Sequence, residues 1–247
     1  MIADKLRKSV LQAAIQGKLT DRRPGDGDAR DLLAEIAAEK ARLVKEGVIR
    51  RAAPLPPVGE DEAPFDIPEG WCWVRLGEII YFVMGKTPSR SDASYWDGDI
   101  PWIAISDMCQ GETITKTKER ITSLALSSVF KGSIVKAGTL LMSFKLTIGR
   151  CSILGIDAVL NEAIVSIYPY VSPEIFRDYL MQVLPLVSAL GDIKGAMKGN
   201  TLNSGSLNNL FLPLPPLAEQ RRIVARLEEL LPLVDDLAAM EAELGAL

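Results

Sequence analysis

Histidine is absent from all 247 residues, and cysteine occurs only as Cys72, Cys109 and Cys151, far apart and with no C-x-x-C. Losing histidine removes the usual general base and the Ser-His-Asp triad. An odd, scattered cysteine set argues against a disulfide framework and against zinc sites of the common Cys/His types. No apolar run approaches the roughly 20 residues that cross a bilayer. The N-terminus, MIADKLRKSVLQ, carries charges where a signal peptide needs an apolar core. A cytoplasmic protein with no membrane partner is expected. No G-x-x-x-x-G-K-[ST] phosphate loop is present. Asp97, Asp99 and Asp107 lie close in sequence, but Asp97 and Asp99 in YWDGDIPW read as turn residues, and no Glu-x-Lys follows at nuclease spacing. Catalytic, cofactor-binding and metal-ligating residues are therefore assigned to none.

What is present is ordinary globular material, 48% hydrophobic and 24% charged, enough for one large domain or one domain with helical appendages. The net charge of −4 is unevenly spread. Residues 1–50 hold 11 Lys and Arg against 8 acids; residues 51–70 hold one against five; residues 71–216 hold 13 against 12; residues 217–247 hold 3 against 7. The acidity sits in a linker and in the last segment. The middle block is neutral to slightly basic, which permits nucleic-acid binding without predicting it.

The pattern predicts a short helix over Asp4–Leu19, with Leu6, Val10 and Ala13 or Ala14 on one face and Gly17 near its end. Asp21–Asp28 reads as a loop. Ala29–Glu46 reads as a second helix with Leu32, Leu33, Ile36, Leu43 and Val44 as its stripe, stopped by Gly47. Five prolines and clustered acids make residues 52–68 an extended tether that forms no core. From Trp71, short β-branched and aromatic runs alternate with glycine, a strand-and-turn texture. Pro173–Leu190 is a predicted helix that Pro185 kinks or cuts in half, and Gly191–Asn209 a predicted loop. The chain closes with FLPLPPLAEQRRIVARLEELL and onward. Pro213, Pro215 and Pro216 hold the lead-in extended, and then Ile223, Leu227, Leu230, Val234, Leu237 and Leu244 recur four and three residues apart, Glu241 taking the missed step. That is an a/d seam, which either docks on a partner helix or folds back on its own domain. Pro232 interrupts it.

GKTPSRSDASYWDGDIPWIAISD, at Gly85–Asp107, resembles the target-recognition domains of specificity (S) subunits in type I restriction–modification enzymes. IPEGWCWVRLGEI at Ile67–Ile79 is similar to the opening of such a domain, LNEAIVSIYP at Leu160–Pro169 to its central strand, and LPLPPLAEQRRIVARLEELL at Leu212–Leu231 to its exit into a spacer helix. KLRKSVLQAAIQGKLT, the helix after it and the proline-rich tether also match the family's lead-in. The likeness runs over nearly the whole chain in the right order. It implies an α+β fold: residues 1–50 an N-terminal helical segment, 51–70 a linker, 71–216 a mixed α/β target-recognition domain, 217–247 a long coiled-coil-type spacer helix.

By resemblance the chain is a non-catalytic recognition subunit that reads half of a split double-stranded DNA target and holds methyltransferase (M) subunits, with restriction (R) subunits joining for cleavage. No cofactor is implied; no NPPY-like stretch occurs, so S-adenosylmethionine falls to a partner. The family's usual subunit has two recognition domains and two long helices, whereas one of each is found here. That departure suggests a half-subunit, a truncated gene product, or a chain cut after the first spacer helix; a half-subunit could rebuild the two-domain arrangement as a homodimer through the spacer-helix seam. The competing reading is an interaction protein that does not read DNA, such as a silent cassette or an assembly competitor.

Phosphates call for cations, hydroxyls and backbone amides, and base edges for Arg, Asn, Gln, Asp or Glu. Lys86, Thr87, Ser89 and Arg90 combine cations and hydroxyls on a proline-stiffened turn. Ser143, Lys145, Thr147 and Arg150 fit the same face from a strand end, and Lys198, Asn200 and Asn203 offer donors on a glycine-flanked loop. Tyr95, Trp96 and Trp102 read as core rather than as stacking groups.

Overall fold

The computed structural model describes residues 1–59, 61–145, 147–193 and 204–245. Two helices come first, α1 (Ile2–Ile15) and α2 (Ala29–Lys45). The middle then runs β1 (Cys72–Arg75), α3 (Leu76–Ile79), β2 (Ile80–Met84), β3 (Trp96–Ile103), β4 (Thr113–Ile114), β5 (Glu119–Ile121), α4 (Ser123–Ser128), β6 (Leu140–Ser143), β7 (Cys151–Leu154), β8 (Val159–Leu160) and β9 (Ile164–Pro169). It closes with α5 (Pro173–Ile193), α6 (Ser204–Asn208), β10 (Phe211–Leu214) and α7 (Leu217–Leu244). Among the described residues the strands form a five-stranded sheet ordered β2-β9-β6-β7-β4, a three-stranded sheet ordered β5-β3-β8, and the antiparallel pair β1-β10. This is the expected α+β architecture with helices before and after the sheets.

The five-stranded sheet is central because its inner strands are apolar on both faces. Leu140, Leu141 and Met142 of β6, and Ile164, Val165 and Ile167 of β9, are all buried, the pattern of strands covered on both sides. One face carries α5, whose Phe176, Tyr179, Leu180, Val183, Leu184 and Val187 are buried. Pro185 sits inside this helix without ending it. Burial on that scale, about 1.5–3 kcal/mol for each large side chain, outweighs the one backbone hydrogen bond that proline removes. Gly191–Asn209 is not one loop: α5 continues to Ile193 and α6 covers Ser204–Asn208. The tether also departs from expectation. It has no regular structure, yet Phe65 lies edge-on to Trp73 at 4.9 Å and the Pro56 carbonyl accepts from Arg75 Nε at 2.7 Å. Phe65 and Ile67 pack against the main core, so the segment is bound down.

The terminal seam finds its mate inside the chain. Glu241 of α7 accepts from the first amides of α1, Ile2 N at 2.7 Å and Ala3 N at 3.1 Å; Arg7 pairs with Asp235; Thr20 Oγ1 lies 3.1 Å from Glu219. Residue numbers fall on one helix as they rise on the other, so α1 and α7 are antiparallel. Ile223 and Leu227 are buried in the main core with Ala14 and Ile15, and Val234 is buried further along. Of the two readings of the seam, docking on a partner helix or folding back, the burial of Ile223, Leu227 and Val234 within the chain fits folding back. Leu230 and Leu237 are half-buried and Leu244 is exposed. The face of α1 shifts too: Ala3, Ala14 and Ile15 are buried and Leu6 is exposed, because small side chains let α7 approach. Pro232 lies within α7, which continues past it.

A polar joint locks α7 to the start of the chain. Glu219, buried, accepts from Trp71 Nε1 at 2.8 Å, and Gln220 donates to the Pro215 carbonyl at 2.8 Å. Arg222 grips the buried Asp26 with two nitrogens at 2.7 and 2.6 Å. The Arg222 hydrogen bonds hold the Asp26 carboxyl below its ordinary range. Gly17, at φ +66°, lies under the Pro68 ring where a Cβ would collide. The QGKLT, IPEGW and PPLAEQRR stretches are therefore three sides of one contact.

Candidate nucleic-acid interface

Register brings two of the predicted loops together. Met84 faces Val165 between β2 and β9, Ser143 faces Ile164 between β6 and β9, and Met142 faces Cys151 between β6 and β7. The chain leaving β2, the β6–β7 turn and the chain entering β9 therefore meet at one end of the central sheet. Phe144 N donates to the Ala163 carbonyl at 3.0 Å, Lys86 N to Leu160 at 2.7 Å and Gly85 N to Ile164 at 2.9 Å. Gly85 is required by this approach, since a Cβ would run into the carbonyl oxygens of Leu160 and Asn161.

The GKTPSR turn is braced from within. Trp102 Nε1 donates to the Lys86 carbonyl at 3.1 Å, and Trp96 Nε1 to the Ser89 carbonyl at 3.0 Å. Thr87 bonds to Glu162, and Asn161 Nδ2 reaches its hydroxyl at 3.2 Å. The Ser89 hydroxyl lies 2.8 Å from that of Ser91. Arg90 lies 3.9 Å above the Trp96 ring and 4.9 Å from that of Trp102, and its guanidinium pairs with Glu119. That carboxylate raises the Arg90 pKa, and Glu119 is lowered in turn. Lys86 is exposed, its Nζ 2.8 Å from the Val129 carbonyl. Trp102 is buried and Trp96 half-buried against it at 5.3 Å, so both are core as read.

The β6–β7 turn has a different texture. Ser143 is fully buried; its hydroxyl donates to the Thr147 carbonyl and its amide to that of Arg150 at 2.9 Å. It shapes the turn and presents no surface to a ligand. Thr147 is exposed, Lys145 is half-buried with Nζ 5.6 Å from the Phe144 ring, and Arg150 Nη1 lies 3.3 Å from the Met108 carbonyl. Lys198, Asn200 and Asn203 lie outside the described residues. Asn161 and Glu162, not among the residues singled out from sequence, hold Thr87 to the chain entering β9, whose Ala163 carbonyl accepts from Phe144 N at the start of the β6–β7 turn. Their signal in the sequence is the LNEA of LNEAIVSIYP, a stretch whose resemblance is to the family's central strand.

A family model described as the type I restriction modification DNA specificity domain matches residues 68–241. The chain belongs to that family. The EcoAI specificity subunit of Escherichia coli is 51% identical over 82 residues, covering 33% of this chain and 14% of that one. The EcoBI specificity subunit, also of Escherichia coli, is 26% identical over 245 residues, 96% of this chain and 45% of that one. Among solved structures, a chain from a study of complex assembly and conformational transition of the type I R-M system aligns with TM-score 0.58 and 25% identity over 99% of this chain and 53% of its own. The HsdS subunit from Thermoanaerobacter tengcongensis shares the fold, with TM-score 0.56, 24% identity and 98% of this chain covered. The chain thus spans about half the length of these longer relatives, and less of EcoAI.

Among the described residues, no group of three or more His, Cys, Asp or Glu side chains could hold a metal ion. Burial lifts the Cys72 thiol to about 12 and Cys151 further, so neither supplies a thiolate at neutral pH. Asp97 stands at φ +59° where the β3–β5 register shifts, a bulge position. Asp107 accepts from Ala104 N at 2.9 Å and lies 2.8 Å from the Thr117 hydroxyl. Both acids serve the fold. Among the described residues, no helix is long and apolar enough to cross a membrane.

Proposed function

We propose that this chain is a non-catalytic, cytoplasmic DNA-recognition component of a type I restriction–modification complex. It binds one half of a split double-stranded target and positions M subunits, which R subunits join. The observation that carries this reading is the convergence of the Lys86–Arg90 and Lys145–Arg150 loops at one sheet end, in a chain whose family model spans 68–241. Lys86, Lys145 and Arg150, with the Thr87, Ser89 and Thr147 hydroxyls at the same end, take phosphates, and Arg90 supplies donors for base edges. Arg90 reaches DNA only by exchanging Glu119 for it. Ser143 is left out, being buried. Co-expression with the neighbouring methyltransferase and mapping of methylated adenines tests the reading. A defined interrupted motif is expected, and modification at no motif would overturn it.

The same reading assigns α7 two faces. Its inner face is taken by α1, while Leu233, Met240 and Leu244 are exposed and, with the half-buried Leu230 and Leu237, continue the three-and-four spacing outward. That outer stripe suits a second copy of this chain, which would supply a second recognition domain about a two-fold axis.

A further inference from the structure

We propose that Lys116, Lys118 and Arg120 form a second row of phosphate contacts, which tracks the backbone of duplex DNA between the two predicted loops. This rests on the DNA-binding reading above. From Lys116 to Arg120, Thr117 and Glu119 are half-buried and alternate with the exposed Lys116, Lys118 and Arg120. The Thr117 hydroxyl lies 2.7 Å from the Trp102 carbonyl and 2.8 Å from Asp107, and accepts from Glu119 N at 3.3 Å. Glu119 is occupied by Arg90. Lys116, Lys118 and Arg120 are exposed; Arg120 donates to the Asp99 carbonyl at 2.9 Å, whereas neither lysine makes an ion pair among the described residues.

Bonds fix where this row stands. Trp102 touches Thr117 through its carbonyl and Lys86 through its indole nitrogen. Asp107 touches Thr117 through its carboxylate, and its neighbour Met108 receives Arg150. Gln110 in turn accepts from Cys151 N at 2.9 Å. Thr117, flanked by Lys116 and Lys118, therefore shares Trp102 with the Lys86 turn and Asp107 with the segment that receives Arg150. Of the acids close by, Glu119 is held by Arg90, Asp107 by Thr117 and Ala104 N, and Glu162 by Thr87, while Glu112 and, on the strand beside Arg120, Asp97 and Asp99 are exposed. Like charges spaced along an exposed segment repel one another in the free protein, and a polyanion relieves that repulsion by displacing counterions.

The test uses the full chain with its co-expressed methyltransferase, measuring fluorescence anisotropy of labelled duplexes from about 50 to 200 mM salt, where phosphate contacts are most visible. K116A/K118A is expected to flatten the slope of log Kobs against log[salt] by about 2, at roughly 0.9 per phosphate. Affinity falls alike for cognate and unrelated duplexes, K116R/K118R restores it, and thermal unfolding is unchanged. An unchanged slope in a complex that still binds DNA overturns the row alone, as does a changed base preference at unchanged slope. A wild-type complex that binds no duplex overturns the row and the DNA reading together.

Discussion

Gly85 shows how one residue sets a loop. It has no room for a methyl group because the backbone of Leu160 and Asn161 passes directly over it. Neither neighbour is a flexible side chain that can give way. G85A is expected to destabilise the fold by about 1–3 kcal/mol, the usual range for overpacking, and to displace Lys86 and Thr87. Urea unfolding reads the first effect and loss of DNA affinity the second. The Asp26–Arg222 pair sets a pH dependence at the same scale. Asp26 is held below its ordinary value in the folded chain, so its stabilisation is complete above the unfolded carboxylate pKa and is lost as pH falls through the folded one. D26N should lower stability at neutral pH by about 1.5–3 kcal/mol, as for hydrogen bonds to charged groups. It should also remove this part of the acid-induced decline, as followed by thermal melts across acid pH.

Helix α7 carries the element-scale argument. Its seam was legible as spacing, and spacing says that a stripe is buried without saying against what. L227A should cost about 2–5 kcal/mol, the range for a buried leucine, because Leu227 lies in the same core as α1 and the sheet. Denaturation by urea would show that loss at any protein concentration. A substitution that merely split a dimer would instead become harmless on concentrating the sample. The α1 N-terminus has no side-chain cap of its own and takes Glu241 in its place, so the two helices order each other.

Across the whole molecule, the proposed function depends on two ends of one body. The sheet end gathers the two loops proposed to meet DNA, and the α1/α7 pair extends from the joint at Glu219 and Arg222. If the outer stripe pairs with a second copy, L233E/M240E should leave folding intact and shift sedimentation at micromolar concentration from dimer to monomer. No shift, or a wild-type monomer, would remove the dimer from the proposal. The joint also explains why prolines lead into the rod. Pro213 lies in β10 opposite Trp73, its carbonyl accepts from the buried Tyr179 hydroxyl at 2.8 Å, and Pro216 caps α7.

Much of this was determined by sequence alone. The α+β class, the helices at either end, the strand-rich middle and the family likeness follow from local periodicity and ordered motifs. Those are properties of neighbouring residues. Partners distant in sequence were not readable in the same way. That GKTPSR is braced by two tryptophans and Glu119, that Ser143 is buried while Thr147 is not, and that Asn161 reaches Thr87 all depend on strand register. Register is settled by which apolar faces fit one another. The terminal helix makes the same point. Its a/d spacing required a mate, and the tertiary structure gave the inner face to α1, because Ala3 and Ala14 let the two backbones come close enough to bury Ile223, Leu227 and Val234.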